Sequence, residues 1–190
     1  MSRFVTALKV FIVFALLLGL GYPALITGIS QLLMHDEANG SLIKKDGKIV
    51  GSKLIGQSFT QPQYFHSRPS AINYDATDSG GSNLGPSNPE LVKQVAARIT
   101  QVRNENHLAS NTPLPADMVL TSGSGLDPHI SMENALLQLP RVAMARHMLP
   151  TTINQIIMEN IDSDFIGVWG KAGVNVLELN LALDKLQKKF

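Results

Sequence analysis

The chain has 190 residues, and its 16 lysines and arginines nearly balance 15 aspartates and glutamates. A polyanion-binding surface needs an excess of basic side chains, so this balance argues against nucleic acid as a partner. The chain has no cysteine, which excludes disulfide bonds, thiolate zinc sites, iron–sulfur clusters and cysteine-dependent redox chemistry.

An apolar segment without a charged residue occupies residues 10–34. About 20 apolar residues cross a ~30 Å hydrocarbon core as a helix, so this segment is long enough to span a membrane. A cleaved signal peptide would have a shorter apolar core and a small-x-small cleavage site. Because the segment is longer than such a core and no Ala-x-Ala sequence follows it, we predict a retained transmembrane helix.

The charges that flank the apolar segment predict its orientation. Arg3 and Lys9 precede it, whereas Asp36 and Glu37 follow it. The positive-inside rule then places residues 1–9 in the cytoplasm and residues 35–190 on the outer side of the membrane as one soluble domain. Removing Arg3 and Lys9 from the 16 basic residues leaves 14 against 15 acidic ones in this domain, which is therefore nearly neutral.

Gly19, Gly21, Tyr22 and Pro23 interrupt the apolar segment near its middle. Glycine allows a second helix to approach closely, and proline frees a backbone carbonyl that a neighbour can satisfy. These four residues are therefore candidates for contact with a partner helix. A kinked anchor with an interfacial tyrosine explains the same residues without a partner, and the sequence leaves both interpretations open.

Strands are predicted at the start of the soluble domain. Residues 42–50 have the pattern of a hairpin, in which Asp46 and Gly47 supply the positive φ of a tight turn. A short apolar run at residues 54–59 is a further predicted strand. Residues 60–90 are rich in proline, serine, asparagine and glycine, which predicts a long ordered loop.

The long loop carries Tyr64, Phe65, Arg68 and Tyr74. Aromatic and arginine side chains are the usual anchors of protein interfaces, so these four residues are candidates for docking to a partner. The aromatic residues also argue against disorder. A loop packed on its own domain would use the same residues internally, and the sequence does not separate the two interpretations.

Four helices are predicted after this loop. The first has Asn88 as its N-cap and Pro89 at its first position, and it ends near residue 105. Its apolar side chains recur at helical spacing and predict one buried face, formed by Leu91, Val95, Ile99 and Val102. Residues 118–120 are predicted to form a short buried segment beyond it.

The remaining three helices occupy the C-terminal part of the chain. One begins near Ser131, and Pro140 predicts that it is either broken into two pieces or kinked. The next has Thr151 or Thr152 as its cap, and the last follows a capping-box-like start at Asn175 and is largely buried. Helices outnumber strands and the strands come early, which predicts an α+β domain after a single transmembrane helix.

The residue pattern contains no catalytic or metal-binding grouping. The Gly–Ser-rich stretches at residues 79–85 and 122–125 lack the lysine of a phosphate-binding loop and the spacing of a nucleophile elbow. The five histidines are scattered without metal-ligand spacing. We therefore expect a membrane-tethered partner protein with no catalytic residue and no bound metal.

An ordered series of short motifs runs through the whole chain. The series comprises Gly21-Tyr22-Pro23, Gly40-Ser41-Leu42-Ile43, Leu54-Ile55-Gly56-Gln57, Tyr64-Phe65-His66, Arg68-Pro69-Ser70, Ser79-Gly80-Gly81-Ser82-Asn83-Leu84, Ser124-Gly125-Leu126-Asp127, Gln138-x-Pro140-Arg141-Val142-Ala143-x-Ala145-Arg146 and Val174-Asn175-Val176-Leu177-Glu178-Leu179-Asn180. It closely resembles the KdpC family, the small C subunits of bacterial Kdp high-affinity potassium-transporting P-type ATPases.

The resemblance implies one subunit of a complex in the cell inner membrane, with the chain as a single-pass protein. In that complex a channel-like subunit carries potassium and a P-type subunit hydrolyses ATP, so these two subunits and membrane lipid are the implied partners. The small subunit is implied to be a non-catalytic accessory that is needed for assembly and activity and holds no stable cofactor. With the soluble domain outside, it would act as a periplasmic cap over the potassium entrance.

The resemblance also implies an alternative role as a catalytic chaperone that raises the ATP affinity of the hydrolysing subunit. In this role Gln138 would contact the nucleotide directly. Because ATP is cytoplasmic, the role conflicts with a soluble domain on the outer side, and we expect Gln138 and Arg141 to organise structure instead. A membrane-tethered enzyme or solute receptor is a third hypothesis, which the missing catalytic grouping disfavours.

Overall fold

The computed structural model describes residues 2–162 and 172–187. The backbone divides into two compact units, Met1–Ser52 and Lys53–Phe190. The first unit contains a long N-terminal helix and a hairpin, and the second contains helices and short strands around a buried core.

The N-terminal helix of the first unit is long and apolar enough to cross a membrane, from Arg3 to Leu33. It consists of α1 (Arg3–Leu16), a π-helical turn (Leu17–Gly21) and α2 (Tyr22–Leu33). Its 31 residues rise ~46 Å, which exceeds the ~30 Å thickness of a hydrocarbon core. None of its described side chains is buried in the unit, so its apolar surface is left for lipid or for partner helices.

A short helix and a hairpin complete the first unit. Helix α3 (His35–Ala38) leads into β1 (Leu42–Lys45), which pairs antiparallel with β2 (Lys48–Ser52). At the turn, Asp46 and Gly47 have φ angles of 53° and 77°. The predicted hairpin is therefore confirmed, together with the left-handed backbone that its turn requires.

The second unit has a mixed fold of helices and short strands. Its elements in chain order are α4 (Pro89–Glu105), a 3₁₀ turn (Ala116–Met118), β3 (His129–Ile130), α5 (Met132–Arg146), α6 (Pro150–Glu159), β4 (Ile161–Asp162), β5 (Gly173–Asn175) and α7 (Val176–Gln187). The strands form an antiparallel sheet in the order β3-β5-β4. This mixture confirms the α+β fold class. The sequence does not predict the sheet, because strands of two or three residues are too short to show alternation.

The core of the second unit lies between α5, α6, α7 and the sheet. Its buried apolar side chains include Val142 of α5, Ile157 of α6, and Leu179 and Leu183 of α7. Phe65 of the long loop is the largest of the fully buried side chains. Burial of a phenylalanine contributes about 1.5–3 kcal/mol, so the loop is a part of the core.

Two predicted helix starts are confirmed. Asn88 Oδ1 accepts a hydrogen bond from Glu90 N at 2.9 Å, which caps α4. Asn175 Oδ1 accepts from Glu178 N at 3.2 Å, which caps α7, while the Glu178 carboxylate pairs with Lys53 Nζ at 2.7 Å. Helix α7 buries five of its twelve residues, among them Leu177, Leu179 and Leu183. Leu181 and Leu186 are only half-buried, so the helix is less completely buried than its leucine spacing predicts.

The predicted strand at residues 54–59 is wrong. These residues form turns and irregular backbone, and Gly56 N donates to Leu126 O at 2.7 Å as an isolated contact with another loop. Of the two alternatives predicted for the helix that begins near Ser131, the break into two pieces is wrong, because α5 runs continuously through Pro140. Ala135, Leu139 and Val142 bury one side of α5 in the core, and that packing offsets the cost of an interior proline.

Three further predictions need correction. Helix α6 begins at Pro150 and has no side-chain cap, because proline at the first position already has the helical φ and lacks an N–H to satisfy. The predicted face of α4 is only partly covered, and no residue of that helix is fully buried. Leu120 is 38% exposed, although Met118 and Val119 are buried as predicted.

Gly56 lies where its loop meets the backbone that precedes β3. A Cβ atom at this position would lie 2.6 Å from the Asp127 carbonyl oxygen, so a side chain would force the backbone to shift. We expect Gly56→Ala to lower the free energy of unfolding by about 1–3 kcal/mol, the usual cost of overpacking. Gly85→Ala is the control, since a Cβ there meets nothing within 4 Å. Thermal unfolding of the full chain in mild detergent measures both, and equal melting temperatures would contradict the expectation.

Candidate functional site

Four buried polar side chains bind the backbone of residues 62–66, which we call the clamped segment. Gln138, Arg141 and Arg146 come from α5 and Asn180 comes from α7, and each is at most 7% exposed. Buried polar groups need hydrogen-bond partners, and here the partners are largely backbone groups of the clamped segment. The segment is therefore held by side chains in place of a neighbouring strand.

Asn180 binds both backbone groups of Phe65. Its Oδ1 accepts from Phe65 N at 2.8 Å, and its Nδ2 donates to Phe65 O at 2.9 Å. The side chain of Phe65 is itself fully buried, so no water is available to either backbone group. These two bonds allow the loop to enter the core without leaving an unpaired N–H or C=O.

Gln138 uses every hydrogen-bonding position of its carboxamide within the unit. Its Oε1 accepts from His66 N and from Arg141 Nη2, each at 2.7 Å. Its Nε2 donates to Asn134 Oδ1 at 2.7 Å and to His66 O at 3.1 Å. A carboxamide offers two acceptor and two donor positions, so none remains for a ligand.

Arg141 extends the network towards α4. Its Nη1 donates to the carbonyls of Pro62 and Tyr64 at 2.6 and 3.0 Å, and its Nε donates to Asn106 Oδ1 at 2.9 Å. Burial lowers the pKa of Arg141 to about 10, and the nearby charge of Glu105 opposes this effect. The guanidinium therefore stays charged at neutral pH and is stabilised by carbonyl oxygens.

Arg146 joins the clamped segment to α7. Its Nε donates to Gln63 O at 2.7 Å, and its Nη2 pairs with Asp184 Oδ1 at 3.0 Å. Its guanidinium also lies 5.1 Å from the ring centroid of Tyr64, a cation–π geometry. One arginine thus connects the loop backbone, an aromatic ring and the last helix.

His66, at the end of the clamped segment, lies between two cavities. Their volumes are about 280 and 350 Å³, and both are bordered by His66 and Glu105. His66 Nδ1 lies 3.5 Å from the Glu105 carboxylate. Burial and the charge of Arg141 lower the pKa of His66, although Gln61 and Glu105 act in the opposite direction, so the imidazole is neutral at pH 7. Gln138 borders the smaller cavity, but its carboxamide has no free position to offer there.

The four loop residues that are predicted as docking anchors have contacts inside the unit. Phe65 is corrected from a surface anchor to a core residue, because none of it is exposed. Tyr64 lies against Arg146, and Arg68 Nη1 pairs with Asp127 Oδ2 at 2.8 Å. The Tyr74 hydroxyl donates to Arg68 O, and burial raises its pKa.

Sequence reasoning missed a chain of charged groups that continues from Arg68. Asp127 accepts from both Arg68 and the His129 backbone, and His129 Nε2 lies 2.8 Å from Asp162 Oδ2 on β4. Burial favours a higher pKa for Asp127, but hydrogen bonds from His129 and the charge of Arg68 lower it overall. Asp127 raises the pKa of His129, burial opposes this, and Asp162 adds to the rise. Asp127 and His129 are close in the sequence, but no spacing predicts that Arg68 or Asp162 lies beside them.

The glycine-rich candidates of the first unit lie in or beside the π-helical turn. A Cβ atom on Gly19 would meet nothing within 4 Å, and one on Gly21 would meet only Leu16 O at 3.7 Å. Tyr22 is 59% exposed, and Pro23 follows it at the start of α2. This part of the helix is open to a neighbour, and a contact with a partner helix stays a prediction.

Metal ligands are not grouped in the described ranges: within residues 2–162 and 172–187, no three or more His, Asp or Glu side chains could hold a metal ion together.

We expect Gln138→Ala to destabilise the second unit. It would leave at least two buried groups of His66 and Asn134 unpaired, each at a cost of about 1–3 kcal/mol, so the expected loss is about 2–6 kcal/mol. Gln155→Ala is the control, because Gln155 is exposed and donates to Glu159 one turn later on the surface of α6. It should change stability by less than about 0.5 kcal/mol. Thermal unfolding of the full chain with and without ATP measures both. Suppose that the two variants were equally stable, and that ATP raised the melting temperature of the wild-type chain and of Gln155→Ala but not of Gln138→Ala. Gln138 would then be a nucleotide ligand and not a structural residue.

Comparison with known proteins matches nearly the whole chain. A family model described as KdpC, K+-transporting ATPase, c chain, matches residues 4–185. A relative from Mycobacterium tuberculosis named potassium-transporting ATPase KdpC subunit is 49% identical over 182 residues, which cover 95% of this chain and 96% of the relative. Relatives of the same name from Koribacter versatilis and Caldanaerobacter subterraneus subsp. tengcongensis are 46% and 47% identical, over 98% and 96% of this chain and 96% and 94% of their own lengths. The chain belongs to the KdpC family, the c chain of K+-transporting ATPase.

Proposed function

We propose that this chain is a non-catalytic accessory subunit of a potassium-transporting ATPase complex in a bacterial inner membrane. In this proposal it supports assembly and activity of an ATP-hydrolysing subunit and a potassium-channel-like subunit, and the catalytic site lies on the hydrolysing subunit. Membership of the KdpC family supports the link to potassium transport.

The observation that carries the proposal is the N-terminal helix. It is 31 residues long and apolar enough to cross a membrane, and none of its described side chains is buried within the first unit. Exposed apolar surface of this extent requires lipid or other apolar helices around it. A single anchor of this kind suits a subunit that joins larger membrane partners.

The second unit is proposed to lie outside the membrane as a periplasmic cap over the potassium entrance. Arg3 and Lys9 lie in the first turns of the N-terminal helix and Asp36 and Glu37 lie in α3, a charge distribution that supports a cytoplasmic N-terminus. The saturated carboxamide of Gln138 supports a structural role for that residue. Both points weigh against the alternative of a catalytic chaperone that contacts ATP.

Sidedness can be tested with single cysteines, because the chain has none of its own. Ser110 is exposed in a loop of the second unit, and Ser2 precedes the N-terminal helix and is also exposed. We expect a membrane-impermeant maleimide to label Ser110→Cys in intact cells and Ser2→Cys only after lysis. The opposite pattern would place the second unit in the cytoplasm and return ATP contact to consideration.

A second test concerns the anchor as a contact with partner subunits. Gly21→Leu adds bulk to the helix surface where a Cβ meets only one atom of its own helix, at 3.7 Å. We expect the variant to fold but to lose at least half of the partner subunits that co-purify in mild detergent, since a leucine prevents close helix approach. Ala15→Leu adds similar bulk elsewhere on the exposed helix and should keep normal recovery. If Gly21→Leu recovered the partner subunits in full, the helix would be only a membrane anchor without a close contact to them.

A further inference from the structure

We propose that the π-helical turn is a hydrogen-bond acceptor site within the membrane, occupied by a donor side chain on a transmembrane helix of another subunit. The turn is formed by Leu17–Gly21 in the middle of the N-terminal helix. This inference rests on the proposed function, because it names the chemistry by which the helix would meet its partner.

Two backbone hydrogen bonds define the edges of the site. Tyr22 N donates to Leu17 O, five residues earlier, which is the bond of a π-turn. The α-helix that begins at Tyr22 has the four-residue pattern, in which Leu25 N donates to Gly21 O. The carbonyls of residues 18, 19 and 20 lie between these two acceptors.

The helix has too few N–H groups for those three carbonyls. Two residues lie between Tyr22 and Leu25. Pro23 has no backbone N–H, and Ala24 has one. Three carbonyl oxygens therefore share a single N–H donor of their own helix. At least two of the three, on Leu18, Gly19 and Leu20, remain without an N–H partner.

Side chains of the same helix do not supply the missing donors. Serine and threonine can bond the carbonyl three or four residues before them, but positions 21–24 are Gly, Tyr, Pro and Ala. The backbone hydrogen bonds outside regular helices and strands in the described chain include none to residues 18–20. The donor must come from outside the helix.

Depth decides what kind of donor can reach the site. Gly19 is 16 residues after Arg3 and 14 before Leu33 in the helix, which places it ~24 and ~21 Å from the two ends. A ~30 Å hydrocarbon core centred on this helix has its edges ~15 Å from the middle, so residues 18–20 lie within hydrocarbon, where an unpaired carbonyl is costly. A donor on a neighbouring transmembrane helix satisfies the requirement at this depth.

The glycines make such a donor effective. Gly19 and Gly21 flank the unpaired carbonyls, and the space beside both is open. A partner helix can approach closely there, so a short Ser, Thr or Asn side chain can reach the carbonyl oxygens. A second copy of this chain fits poorly, because between residues 7 and 26 only Lys9 and Tyr22 carry a side-chain donor.

Pro23→Ala tests the shortage of donors, because alanine restores one N–H without adding bulk. We expect the full chain with this substitution to lose at least threefold in recovery of the hydrolysing and channel-like subunits from mild detergent. Val13→Ala is the control, since it also shortens an exposed side chain of this helix but leaves the backbone N–H groups unchanged. Normal recovery with Pro23→Ala, or an equal loss with Val13→Ala, would overturn the proposal.

Carbonyl resonances report the bonds directly in the full chain in bilayers, alone and in the complex. Carbonyl-¹³C leucine with ¹⁵N glycine selects Leu18 and Leu20, with Leu84 as a reference in the second unit, and the reverse pair selects Gly19, with Gly125 as its reference. We expect at least two of the three helix signals to move downfield on assembly, as carbonyls do when they accept a hydrogen bond. Signals that are already downfield in the chain alone, or that do not move on assembly, would refute the acceptor site.

The proposed function and the acceptor site would be contradicted by different results. If the wild-type chain recovers no partner subunits, the proposed function fails. If recovery is normal and Gly21→Leu reduces it while the carbonyl signals stay unchanged, the helix contact stands and the acceptor site is wrong.

Discussion

The second unit depends on the hydrogen bonds that hold the clamped segment. The long loop carries Phe65 into the core, and a backbone that enters a core outside a helix or sheet must find partners for its N–H and C=O groups. Asn180 supplies both partners for Phe65, and Gln138 supplies both for His66. Without these side chains, burial of the phenylalanine would be offset by the cost of its own backbone. The helices thus stabilise the loop as much as the loop completes the core.

The same bonds change how the polar residues of α5 are interpreted. A buried glutamine and two buried arginines beside cavities are typical of a ligand site, but here their donors and acceptors are directed at carbonyls and amides of residues 62–66. The charge of Arg141 is stabilised by two carbonyls and two side-chain oxygens. The polar groups of this region therefore hold the backbone of the protein itself in place.

The features that the sequence predicts are local, whereas the features that it misses join residues far apart in the chain. The hairpin turn at Asp46 and the cap at Asn88 are local, so the residue types alone identify them. The contact between Phe65 and Asn180 joins residues 115 positions apart, and nothing in the local pattern of an aromatic loop separates a core residue from a docking anchor. Pro140 taken alone predicts a break in the helix, yet α5 continues through it because one side of the helix is packed in the core. Pro23 is visible in the sequence, whereas the π-turn before it follows from backbone geometry that no residue type announces.

The separation of Phe65 and Asn180 along the chain has a consequence for the order in which the second unit can fold. The second unit cannot complete its core until α7 has been synthesised, because one half of the Phe65 clamp is encoded at the start of the unit and the other half at its end. Closing a loop of 115 residues is slow compared with forming a helix or hairpin. If the second unit crosses the membrane as proposed, its core can be completed only after α7 has crossed as well.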